Sequence, residues 1–62
     1  MSGSSALPEM IGIREAAGRT NLPVHFIREL VRRGDVVAVQ AGSKKFFINA
    51  DSLRRYLNGE HN

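Results

Sequence analysis

The chain has 62 residues, with nine Lys and Arg against six Asp and Glu, a formal charge of +3 and a pI near 10.2. A chain this short reads as one small basic domain that buries about 60% of its unfolded surface, which disfavours a deep ligand cavity or an enclosed active site. Cysteine is absent, so disulfides, thiolate zinc sites and a cysteine nucleophile are excluded, and stability must come from a core drawn from the 42% of apolar residues. No run approaches the ~18 apolar residues of a membrane span, and the first residues lack the basic start and apolar stretch of a signal peptide. The expectation is a cytoplasmic, non-enzymatic protein with no membrane partner, no cofactor, no metal and no small-molecule ligand.

Met1 to Ser5 is too polar and Gly/Ser-rich to bury anything, so residues 1–8 read as a disordered or artificially added N-terminal segment. The domain is expected over 9–58, with a flexible tail at 59–62. Ile13 to Thr20 is short and Ala-rich, with Ile13, Ala16 and Ala17 on one helical face, and predicts a first helix. Asn21-Leu22-Pro23 then supplies a residue tolerant of left-handed backbone, an apolar anchor and a proline suited to the first helical position. A second helix is predicted from Pro23 to about Arg33. Its apolar stripe is Val24, Ile27, Leu30 and Val31, with His25, Arg28, Glu29 and Arg32 opposite. Gly34 is its stop signal, and Arg32 and Arg33 suit the negative end of the helix dipole.

Val36 to Gln40 is a β-branched run that helices disfavour, and Lys45 to Ile48 is a second strand candidate beyond the Ala41-Gly42-Ser43-Lys44 loop. Together they predict a two-stranded hairpin. Phe46 shares parity with Ile48 and is assigned inward, which leaves Phe47 on the exposed face. Asn49 is a good N-cap for a third helix that ends near Asn58, with Leu53, Tyr56 and Leu57 facing inward.

Charge is unevenly distributed. Residues 1–23 carry two basic and two acidic groups, 24–47 five and two, and 48–62 two and two, which puts the whole excess on helix two and the hairpin. If both elements face the same way, they form a surface suited to a polyanion. The alternative is a solvated helix face beside a lysine-bearing loop.

Ala17 lies four residues before Asn21, Leu22 follows it directly, and Ile27 and Leu30 stand six and nine residues after it. This is the spacing of a helix-turn-helix corner, with asparagine where the motif prefers glycine. With the hairpin added, Ile13-Arg14-Glu15-Ala16-Ala17, Leu22-Pro23, Phe26-Ile27-Arg28, Gly34, Ala41-Gly42, Ile48-Asn49 and Ser52-Leu53 occur in an order that resembles the excisionase family of small DNA-binding proteins, related to the DNA-binding domain of MerR-type regulators. The resemblance covers about Ile11 to Leu57 without an added effector domain. It implies an α+β, mainly α fold, a winged helix-turn-helix with a two-stranded hairpin wing and a C-terminal third helix. It also implies double-stranded DNA as partner, with the second helix in the major groove and the wing on backbone or minor groove. The contacts expected on that basis are Pro23, Val24, His25, Arg28, Arg32 and Arg33 from the helix and Ser43, Lys44 and Lys45 from the wing.

Family members encoded by phages or mobile elements direct an integrase toward excision, and others regulate transcription. Physics does not separate the two, since both read a groove with the same surface. An integrase, or further copies of the chain on adjacent sites, is the expected protein partner, because a single module buries only ~600–1,000 Å² on DNA. A different class of function, a protein-interaction module without DNA binding, would use an exposed Phe47 and the basic face to hold a partner protein.

Several residues carry two readings. Arg28 is long enough to read guanine O6 and N7, or it pairs with Glu29 or Asp35 on the surface. Arg32, one turn on, suits a phosphate, and His25 in the first turn suits a base or phosphate. Phe26 reads as core cover rather than an intercalating wedge, and Glu15 as a structural ion pair. No serine has a base positioned near it in sequence, and no phosphate-binding loop or acid pair suggests catalysis.

Overall fold

The computed structural model describes residues 7–60. The elements in chain order are β1 (Met10–Gly12), α1 (Ile13–Thr20), α2 (Val24–Arg33), β2 (Ala38–Gln40), β3 (Phe46–Asn49) and α3 (Ala50–Leu57). This is an α+β architecture, about half helical, in which three helices surround a three-stranded antiparallel sheet of order β1-β3-β2.

The corner between α1 and α2 follows from three residues. Asn21 caps α1 in the left-handed region at φ 61°, ψ 30°, and its N–H donates to the Ala17 carbonyl, as does the Leu22 N–H at 3.1 Å. Asparagine tolerates this backbone where a β-branched residue would be strained. Thr20 fits the corner because its hydroxyl donates to the Ala16 carbonyl at 2.7 Å, which satisfies a half-buried polar group within its own helix. Pro23 is the N-cap of α2 at φ −68°, ψ 150°, one residue before the first helical position where the sequence placed it. The ring fixes only φ, so ψ stays extended while the Pro23 carbonyl accepts from the N–H groups of Phe26 at 3.1 Å and Ile27 at 3.3 Å. Gly34 ends α2 at φ 79°, a conformation glycine adopts without penalty.

β1 was not expected from the sequence. It pairs with β3 in the register Met10↔Asn49, Ile11↔Ile48 and Gly12↔Phe47, and the Ala50 N–H extends the ladder to the Glu9 carbonyl at 2.9 Å. On the other edge β2 pairs with β3 as Ala38↔Ile48, Val39↔Phe47 and Gln40↔Phe46, so the β2 strand begins at Ala38 rather than Val36. Val36 serves the core from the connection instead, at 5% exposure.

The core is Ile11, Ala16, Ala17, Ile27, Leu30, Val36, Ile48 and Leu53, with Val24, Phe26, Val31 and Tyr56 among the half-buried residues packed on it. The predicted α2 stripe and Phe26 as core cover are both present. Two inward placements need correction. Leu57 is 42% exposed, because α3 leaves the end of β3 directly and its last residue lies past the covered turns. Phe46 is half-buried but not packed on the core. It opposes Gln40 at the start of β3, and Phe47 is half-buried too rather than exposed. Among the described residues, no helix is long and apolar enough to cross a membrane.

Candidate functional site

An open groove of about 1030 Å³ lies between the first turn of α1, one face of α2 and the β2–β3 loop. From α2 it takes Arg28, Val31 and Arg32, whose spacing of three and four residues puts them on one helical face. From the loop it takes Ser43, Lys44 and Lys45. The Ala41 N–H closes that loop onto the Lys45 carbonyl at 2.8 Å, and the Gln40 side-chain amide donates to the Ser43 carbonyl at 3.4 Å. Phe46 and Phe47 contribute aromatic surface between the cations, and Gly12 to Glu15 form the third side.

The electrostatics of the groove depend on which cations already have partners. Arg32 forms an ion pair with Glu29. Its hydrogen bond holds the Glu29 carboxyl below the ordinary carboxylate value and raises the Arg32 pKa in turn. Arg33 pairs with Asp35 at 3.2 Å. The two acids proposed as surface partners for Arg28 are therefore engaged by other arginines. Arg28, Lys44 and Lys45 are exposed, and their side chains form no ion pair or hydrogen bond among the described residues.

Five of the nine expected contact residues thus meet on one groove: Arg28, Arg32, Ser43, Lys44 and Lys45. The other four do not line it. Pro23 and His25 are exposed at the N-terminal end of α2, with His25 one turn before Arg28 on the same stripe. Val24 is half-buried on the core. Arg33 is tied to Asp35, which borders a separate cleft of about 360 Å³ with Val37, Ser52 and Tyr56. Sequence reasoning missed Arg14, which lines the groove from α1. Its segment sums to zero charge, and only the pairing of Arg19 with Glu9 and Glu15, at 3.1 and 3.3 Å, exposes Arg14 as the cation left over. The expected structural pairing of Glu15 is the contact with Arg19.

Among the described residues, no group of His, Asp or Glu is arranged to hold a metal ion. No family model, no curated protein and no solved structure matches the chain.

Proposed function

We propose that the protein is a winged helix-turn-helix module that binds double-stranded DNA, with α2 as the helix that enters the major groove and the β2–β3 loop as a wing on the phosphate backbone. The observation that carries this reading is the meeting of Arg28 from α2 with Lys44 and Lys45 from the loop on one groove, all three without a carboxylate partner among the described residues. Two elements far apart in sequence supply unneutralised cations to one concave surface, which suits a polyanion whose bound counterions are released on contact.

The left-handed corner at Asn21 and the position of α2 behind it further support the helix-turn-helix part of the reading. The order of residues shared with the excisionase family favours a recombination directionality factor of a phage or mobile element. A transcriptional regulator on the same fold is the second member of that class. A module this small gains useful affinity through neighbouring copies or a bound integrase.

The test is a titration of labelled duplex at two salt concentrations. Three to five phosphate contacts give a log–log slope of roughly −3 to −4. Flat, immeasurable binding at low salt overturns the reading and leaves the protein-interaction alternative, which expects no duplex affinity.

A further inference from the structure

The charges of the described residues divide into two sets. Arg19 is held by Glu9 and Glu15, Arg32 by Glu29, Arg33 by Asp35, and Arg54 and Arg55 by Asp51. Of the nine Lys and Arg in the chain, the four without an ion pair among the described residues are Arg14, Arg28, Lys44 and Lys45, and all four line the one groove. The groove's carboxylate, Glu15, is at the same time drawn onto Arg19, which lies outside the groove. These contacts leave the Arg14 side chain as the groove cation of α1 that no carboxylate among the described residues holds, on a segment whose charges sum to zero.

From this we infer that Arg14 is a phosphate contact, so that the DNA-binding surface has three anchors, α1, α2 and the β2–β3 loop. The inference rests on the DNA reading above and deepens it by naming the residue through which α1, the helix that crosses the backbone in helix-turn-helix docking, would hold a phosphate. Arg14 is exposed in the first turn of α1, and no hydrogen bond has to break before it meets an anion. A phosphate contact positions the duplex without reading its sequence, so its contribution is the same on every duplex.

The experiment compares wild type with Arg14→Ala, Arg14→Lys, Arg28→Ala and Arg54→Ala, titrating labelled cognate and random duplexes across a salt series. Arg54→Ala removes the same charge from α3, where Arg54 is bound to Asp51 outside the groove, and so controls for net charge. The expected result is that Arg14→Ala weakens both duplexes alike and lowers the salt slope by about one unit, while Arg14→Lys keeps the slope and Arg54→Ala matches wild type. Melting temperatures of all variants check that the fold is intact. If Arg14→Ala matches wild type while Arg28→Ala is weakened, α1 is not an anchor and the inference fails alone. If Arg14→Ala and Arg54→Ala lose slope equally, the effect is net charge and the inference also fails. If wild type binds no duplex, the DNA reading fails and takes this inference with it.

Discussion

The Ser52 hydroxyl accepts a hydrogen bond from the Val37 N–H at 2.9 Å, so a side chain of α3 holds the backbone just before β2. The Val37 carbonyl accepts from the Asn49 N–H at 2.9 Å, and the Asn49 side-chain oxygen caps α3 by accepting from the Ser52 N–H at 2.9 Å. The three residues form a closed ring that joins strand entry, central strand and helix start. Ser52→Ala leaves the Val37 N–H to water at this exposed site and is expected to cost ~0.5–1.5 kcal/mol. Asn49→Ala loses the cap and costs ~1 kcal/mol. Thermal melts should show each as a drop of about 4–8 °C per kcal/mol, and the double variant should lose less than the sum of the two. Additive losses would mean that the ring does not act as a unit.

Leu30 and Leu57 offer a paired test of the core. Leu30 is 0% exposed and Leu57 42% exposed. Leu30→Ala is expected to cost ~2–5 kcal/mol, enough to unfold most of a domain of this size, whereas Leu57→Ala should stay within ~0.5 kcal/mol of wild type. Circular dichroism melts of the two variants check this. Similar melting temperatures would show that the phase of α2 or α3 is wrong.

On the proposed DNA reading, Glu29 would compete with phosphate for Arg32, with which it forms an ion pair. Glu29→Gln removes that competitor, so the expected outcome is tighter duplex binding with a salt slope steeper by about one unit, and little change in melting temperature. Unchanged affinity would show that Arg32 contributes nothing to the surface.

Two exposed ion pairs, Glu29 with Arg32 and Asp51 with Arg54, contribute modestly to the acid limb of stability. Hydrogen bonds from Arg32 and Arg54 hold Glu29 and Asp51 below their ordinary values of 4.5 and 3.8. Carboxylates with depressed folded-state pKa values contribute stability that is present above the unfolded values and is lost as pH falls through the folded ones. Denaturant midpoints should therefore be flat from neutrality down to about pH 5 and fall below it, with a shallower fall in Glu29→Gln. A midpoint that rises on acidification would contradict this.

Lys44 and Lys45 are exposed and have no ion pair among the described residues, so the double alanine variant should leave the melting temperature unchanged. Its affinity for specific and random duplex should fall in proportion, with a slope loss of about 1–2 units. Affinity and slope equal to wild type would remove the loop from the binding surface.

What could be read in the sequence was local. Asn21, Gly34 and Asn49 each signal a backbone state through their own chemistry, and all three occupy the expected left-handed or capping positions. The α2 stripe was legible because its period is carried by four aliphatic residues. β1 was not, since three residues set no period, and Met10–Gly12 is a strand only because β3 offers it an edge. Phe46 and Phe47 follow strand alternation, yet both are half-buried at the groove, which alternation alone does not foresee. Within the candidate groove, Arg28, Arg32 and the loop lysines were already singled out in the sequence, where their charge stands on the polar face of the second helix and at the end of the Gly-bearing loop. Arg14 escaped because its availability depends on Arg19 engaging Glu9 and Glu15, a contact that segment totals conceal.

The pairing of Ile11 with Ile48 has a kinetic consequence. β2 and β3 are neighbours in the chain and can zip up early, as can the α1–α2 corner, but β1 reaches β3 only after the chain from Ile11 to Ile48, more than half of its length, has closed into a loop. Loop closure of that span is entropically costly before any contact rewards it, so β1 is expected to dock last on folding and to fray first. Native-state amide exchange reads this directly, as a sub-global opening in which β1 loses protection while Leu30 in α2 keeps it. Because Gly12 both ends β1 and is the N-cap of α1, each such opening also loosens the mounting of Arg14, and on the DNA reading the affinity of the groove would be tied to how often the first strand lets go.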